Sequence, residues 1–305
     1  MPVIINELNR ETFKNLFQIL SRPNDGHKGD FGSACFIGGS QHYTGAAYLA
    51  GAACLRSGIG YLHMAVPKSL HPILAGHLPE AIWEPLPELD GFLCLASAKE
   101  LNSILKNKSA FLIGPGLGLT DSSKAFGLQV LEIITTRYKE TPAILDADML
   151  TILSEAPQFH NDLPKNTILT PHPGELARLL NDTVEDIQAN RVSCVYDAAA
   201  KFNVHVVLKG ANTLVASPKG SIFRLNFANS VLSHAGSGDV LAGIMLALLS
   251  QKTLNISPKA AACFAIWLHA QSGLFALEKH KHAASVLPSD LVQFIGHALA
   301  DLESD

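Results

Sequence analysis

Cysteine, charge and clustered basic residues are all scarce in this chain, and each scarcity removes a class of protein. The five cysteines (Cys35, Cys54, Cys94, Cys194 and Cys263) are odd in number, scattered, and nowhere spaced as Cys-x-x-Cys. That pattern excludes a disulfide framework and a zinc site, and leaves reduced small hydrophobes of the cytosolic kind. Charged residues make up only 16% of the chain, the formal charge is −4, and Lys and Arg never form a stripe. Nucleic acid is therefore not expected as a partner. Long apolar runs are also missing: Val240 to Leu249 covers about half a bilayer, and Ala260 to Leu277 is interrupted by His269, Gln271 and Ser272. Met1 to Ile5 is too short for a signal peptide. A soluble, cytoplasmic protein without membrane partners is the expectation.

Two nucleotide-binding motifs are absent as well. Gly114 to Gly118 is Gly-x-Gly-x-Gly rather than Gly-x-Gly-x-x-Gly, and no Gly-x-x-x-x-Gly-Lys-Ser/Thr occurs. Any phosphate must be held in another way.

What is present is apolar bulk, 48% of 305 residues, enough to bury a large core. Continuous apolar runs at Ala34 to Ile37, Tyr61 to Val66, Ala110 to Ile113, Ala143 to Leu145, Thr167 to Leu169 and Val204 to Leu208 predict buried parallel strands. Between them Gly45 to Ser57, Asp121 to Tyr138, Glu175 to Leu180 and Val184 to Phe202 read as helices. This alternation implies an α/β fold, a doubly wound, mostly parallel sheet with helices on both faces. Asn212 to Ala216 and Ser221 to Leu225 read as a hairpin around Pro218 and Gly220, and the final third as mostly helix. Ser257-Pro258 is a start signal there, and Lys279, His280, Lys281 and His282 suit a solvated helix end better than a metal site. Without a long linker or repeat, residues 1–305 read as one domain, with 1–25 as a lead-in.

Polar and glycine-rich clusters follow nearly every predicted strand: Gly38-Gly39-Ser40, Gly114 to Gly118, Asp146-Ala147-Asp148, Thr170 to Glu175, and Lys209 to Thr213. Ligands of open α/β sheets lie beyond the carboxyl ends of the strands. The most informative cluster is Ala235-Gly236-Ser237-Gly238-Asp239, which runs into the apolar segment from Val240. A helix start offers free N–H donors and a positive dipole end, so it attracts anions, and Asp239 sets a carboxylate beside it. Single residues keep two readings. His172, between two prolines, is a rigid turn residue or a ligand contact. Asp146 and Asp148 are metal ligands, or Asp148 caps a helix beginning at Met149. His27-Lys28-Gly29-Asp30 is a solvated turn or a lid.

The ordered set His27 to Gly32, Gly45-Ala46-Ala47, Arg56-Ser57-Gly58, Gly114 to Gly118, Thr170 to Glu175, Leu208-Lys209-Gly210 and Gly236 to Asp239 resembles the ADP/ATP-dependent NAD(P)H-hydrate dehydratases, a branch of the ribokinase-like fold. The resemblance covers about residues 20–300. It implies a carbon-oxygen lyase that repairs hydrated NADH and NADPH (NADHX and NADPHX) by phosphorylating the ring hydroxyl from ADP or ATP and eliminating phosphate, with Mg²⁺. It implies Asp239 as general base and hydrate contact, and Gly236, Ser237 and Gly238 as anion hole. It further implies Ala46, Gly118 and His172 at the hydrate, and Lys209, Gly210, Ala211, Asn212, Thr213, Asn229 and Gly238 at the nucleotide. Glu175 becomes an outer-shell partner of Mg²⁺, and the protein a homo-oligomer, dimer or tetramer. The run before His27 is too short for the epimerase domain many relatives carry. Where the family has Asn-Pro-Gly-Met-Ala-Thr-Gly-Gly-Ser-Gly-Asp, this chain has Asn229 to Asp239 without the proline and two of the glycines, so a different loop path is expected. Alternatives are a kinase for a hydroxymethyl or hydroxyethyl heterocycle, and a non-catalytic nucleotide sensor.

Overall fold

The computed structural model describes residues 4–13 and 22–303. In chain order its strands are β1 (Ile5–Leu8), β2 (Ser33–Ile37), β3 (Tyr61–Pro67), β4 (Ile82–Leu86), β5 (Glu88–Leu89), β6 (Phe92–Leu93), β7 (Ala110–Ile113), β8 (Ala143–Leu145), β9 (Ile168–Leu169), β10 (His205–Leu208), β11 (Leu214–Ala216) and β12 (Ile222–Leu225). Ten of them form one sheet in the spatial order β1-β12-β11-β10-β9-β8-β7-β2-β3-β4. Every neighbouring pair is parallel except the two around β11. β5 and β6 make a separate antiparallel hairpin.

The helices α1 (Thr44–Arg56), α2 (His71–Leu74), α3 (Leu95–Ile104), α4 (Asp121–Arg137), α5 (Asp148–Ser154), α6 (Pro173–Leu180), α7 (Val184–Ala189), α8 (Arg191–Phe202), α9 (Ser237–Ser250), α10 (Pro258–His280) and α11 (Pro288–Glu303) cover both faces. Strand alternation divides the core accordingly. Ala34 and Phe36 join a cluster with residues of α1, α9, α10 and α11, whereas Cys35 and Ile37 join one with α4, α5 and α8. This is the expected doubly wound α/β architecture.

Local signals explain most boundaries. Ser257 accepts a hydrogen bond from the Ala260 N–H, with Pro258 at the first position of α10, and α10 ends at Lys281 in the left-handed region. The stretch predicted as one helix over Val184 to Phe202 is two, because Asn190 leaves helical geometry (φ −127°, ψ 36°). The strands β1, β4, β5 and β6 and the helices α2 and α3 went unpredicted. β1 lies in the expected lead-in, whose residues 1–3 and 14–21 are outside the described set. β4 contains Pro85, which an edge position tolerates. The β5–β6 turn is Asp90-Gly91, both at positive φ, a two-residue turn that matches strand twist.

Among the described residues one helix, α10, is long and apolar enough to cross a membrane, and 72% of its most apolar window is buried inside the protein. It is a core helix, and Trp267 on it stacks with Phe264. All five cysteines are free.

Candidate active site

β10, β9, β8, β7 and β2 are consecutive parallel neighbours, so their carboxyl ends share one edge. That edge carries Lys209, Thr170, Asp146, Gly114 and Gly38 immediately after the respective strands. Gly114 (φ 121°) lets its loop press on the next one: a Cβ there would stand 2.0 Å from the Asp146 carbonyl oxygen. Ala147, between the two aspartates, holds φ 52° and ψ −123°, a costly conformation for a residue with a side chain and typical of functional turns.

A cavity of about 810 Å³ opens at this edge. Its lining includes His172, Lys209, Gly210, Ala211, Thr213, Asn229, Gly236, Ser237 and Gly238. Asn212, Asp239, Ala46, Gly118 and Glu175 do not line it. Asn212 sits behind the wall, its N–H bonded to the Phe227 carbonyl at 2.9 Å and its Oδ1 buried without a partner. The Asn229 to Ala235 loop is built without glycines. Asn229 Oδ1 accepts from the Val231 N–H at 3.0 Å, a short helical turn spans Ser230–Leu232, and Val231 anchors it in the core.

α9 begins where this loop ends. Gly236 is its N-cap at φ 97°, and no side chain caps the first turn. The Ser237 N–H is committed to the His234 carbonyl at 3.2 Å, whereas the N–H groups of Gly238 and Asp239 have no partner among the described residues. The donors open to an anion are therefore those of Gly238 and Asp239. Ser237 contributes otherwise: its hydroxyl is 3.1 Å from His269 Nε2, both residues being buried. Burial pulls the His269 pKa down to about 4, so the ring is neutral. In the sequence His269 stands out only as an interruption in an apolar helix. The signal was there, since a polar ring buried inside a core helix needs a partner.

Beneath the helix start lies a charged cluster. Lys209 Nζ donates to Asp146 Oδ1 at 2.8 Å and stands 3.7 Å from Glu175 Oε2. A Cβ on Gly238 would stand 3.6 Å from that ammonium. Burial lowers the Lys209 pKa, but Asp146 and then Glu175 outweigh it, so the amine stays charged. The Asp239 carboxylate has no hydrogen-bond partner among the described residues. Burial first, then the charge of Asp146, pushes its carboxyl up to about 7 against the pull of Lys209. A carboxylate near neutrality with free lone pairs is a competent general base.

His172 caps α6 with its ring: Nδ1 accepts from the N–H groups of Gly174 (3.0 Å) and Glu175 (3.3 Å). Glu175 reciprocates, Oε2 accepting from the His172 N–H at 2.7 Å. Burial, then Lys209 and Arg178, keep the imidazole below its usual pKa, which preserves the acceptor. Asp148 does not cap its own helix through its side chain; its Oδ2 accepts from the Gly118 N–H at 2.7 Å. A Cβ on Gly116, in the same loop, would meet the Ala46 Cβ at 3.0 Å. Gly118, Ala46 and Asp148 are thus neighbours of one another and are absent from the cavity lining. Among the described residues no three or more His, Cys, Asp or Glu side chains gather as a metal site.

Residues 34–296 match the family of NAD(P)H-hydrate dehydratases. The chain is 37% identical over 283 residues to the ADP-dependent (S)-NAD(P)H-hydrate dehydratase of Neisseria meningitidis, across 92% of this chain and 88% of the relative. It is 33% identical over 285 residues to a bifunctional NAD(P)H-hydrate repair enzyme of Thermofilum pendens, across 93% of this chain and 53% of the relative. The chain spans about half the length of such bifunctional relatives. The fold superposes on the ADP/ATP-dependent NAD(P)H-hydrate dehydratase of Bacillus subtilis, co-crystallized with ATP and Mg²⁺, with a TM-score of 0.83 at 28% identity, covering 99% of this chain and 100% of the other. Sheet order, strand-end loops and helix start on a ribokinase-like fold converge with these likenesses: the chain belongs to the NAD(P)H-hydrate dehydratase family.

Proposed function

We propose that this protein dehydrates hydrated NADH and NADPH at the expense of ADP or ATP. The observation that carries the proposal is the Asp239 carboxylate, unpartnered and with its pKa near 7, beside two free backbone donors at the start of α9. Asp239 takes the proton of the ring hydroxyl as its oxygen forms a bond to the terminal phosphorus, and the bond to the departing nucleotide breaks. The Gly238 and Asp239 N–H groups receive the charge that builds on the transferred group, and Gly236 and Ser237 shape their loop. In the second stage the carbon–oxygen bond breaks, phosphate leaves with the electron pair, and loss of a ring proton restores the dihydronicotinamide.

The nucleotide lies in the cavity along Lys209 to Thr213 and Asn229, with Gly238 at its phosphates. The hydrate lies toward Ala46 and Gly118, with His172 between the two. Mg²⁺ accompanying the nucleotide would supply charge neutralisation there, and Glu175 would be its outer-shell partner. We place the enzyme in the cytoplasm as a soluble homo-oligomer, dimer or tetramer, which sedimentation of the pure protein tests.

The deciding experiment mixes the protein with hydrated NADH, Mg²⁺ and ADP or ATP. Recovery of reduced-nicotinamide absorbance together with phosphate release is expected. A stable phosphorylated product would make the protein a small-molecule kinase, and nucleotide binding without phosphate release would make it a sensor.

A further inference from the structure

The active edge carries a second surface, outside the cavity. In the β2–α1 loop, His42 and Tyr43 are exposed, Tyr43 by 55%. The His42 ring meets Phe92 edge-on, with centroids 5.2 Å apart, and stands 6.5 Å from the Tyr43 ring. Phe92 is buried and lies directly on Gly118, where a Cβ would come within 2.5 Å of its ring. The hairpin carrying Phe92 is tied to the same loop by the Gln41 N–H, bonded to the Gly91 carbonyl at 2.9 Å. Gly116 presses on Tyr43 from below: a Cβ there would stand 2.9 Å from the Tyr43 carbonyl oxygen. His42 thus packs on Phe92 and Phe92 on the Gly116–Gly118 loop, with the Tyr43 ring beside them on backbone held by the same loop, and none of the three rings lines the cavity.

We propose that His42 and Tyr43, backed by Phe92, form a stacking ledge for the second base of the dinucleotide substrate, the adenine of NADH hydrate. The inference rests on the function proposed above. The hydrated ring must bring its hydroxyl to Asp239, so it lies near Asp148 and Gly118. With the nucleotide filling the cavity, the rest of the molecule extends past Gly118, outside the cavity lining and onto the Phe92 side of that loop. The surface met there is the ledge. A planar base covers exposed aromatic faces well, and stacking asks for no hydrogen-bond pattern, so NADH and NADPH forms are accepted alike.

Calorimetric titration of the full-length protein with NADH, with reduced nicotinamide mononucleotide and with ATP tests the ledge without relying on turnover. Tyr43→Ala is expected to weaken NADH about five-fold or more, the range for one base stacked on an aromatic side chain, while the mononucleotide and ATP change by less than about two-fold. Tyr43→Phe, which keeps the ring, is expected to bind NADH as the wild type does. Unchanged NADH affinity in Tyr43→Ala would overturn the ledge, as would an equal loss for NADH and the mononucleotide. So would a loss of NADH binding that follows a change in sedimentation, because Tyr43 would then be a subunit contact, and so would a wild type that binds no NADH. Absence of turnover on hydrated NADH by the wild type would instead count against the proposed function, and the titration would still decide the ledge.

Discussion

Asp239 joins two properties that pull in opposite directions. In the proposed role of base it must be ionised, so activity should rise as pH passes upward through about 7, the value to which burial and Asp146 push it. As a buried carboxyl with a raised pKa, it favours the folded state while protonated. That stabilisation is full below the unfolded pKa and is lost as pH rises through about 7. Asp239→Asn should therefore lower kcat by about 10²- to 10⁴-fold with nucleotide affinity nearly unchanged. The same variant should raise Tm at pH 8, the gain over wild type shrinking toward pH 4; an equal gain at both values would contradict the assigned pKa. His269→Leu removes the partner of the buried Ser237 hydroxyl, and chemical denaturation should show a loss of about 1–3 kcal/mol. At this scale the sequence made much of the candidate site legible, because glycines and carboxylates after strands carry their own logic. It did not reveal that the Ser237 N–H is spent on His234, nor that Asp148 holds Gly118. Both depend on the folded backbone, which residue spacing does not encode.

Among elements, the α1–α9 pair positions the site. Gly243 lets the helices touch: a Cβ there would fall 2.2 Å from the Ala50 carbonyl oxygen. Gly236 allows the same closeness at the start of α9, since a Cβ would meet Leu49 at 2.5 Å and the residue already holds φ 97°. Gly243→Ala should cost about 1–3 kcal/mol by overpacking and, because both helix starts face the site, should also lower kcat; an activity equal to wild type would show that the two starts move independently. The legibility of elements followed burial. Strands buried on both faces appear as unbroken apolar runs and are readable from the sequence. The edge strand β4, with Pro85 and an exposed Ile82, has no such run. The β5–β6 hairpin did announce itself through Asp90-Gly91, but two-residue strands are too short to show alternation.

At the scale of the whole molecule, a nucleotide that binds only the folded chain should stabilise it by about 2.7 kcal/mol at a hundred-fold excess over Kd, raising Tm by several degrees in a thermal shift measurement. Asp239→Asn should keep that shift, and Gly236→Ala, which displaces the donors proposed to hold phosphate, should lose most of it. The parallel pairing of β1 with β12 has a separate consequence. Ile5 lies beside Ile222, so β1 leaves the ribosome and waits for more than two hundred further residues before its sheet neighbour exists. Closing so long a loop must precede any reward from the pairing, which makes this seam slow to form. Until translation passes Leu225, nascent β1 offers an unpaired strand edge to its surroundings, and in that interval it is open to pairing with the wrong partner.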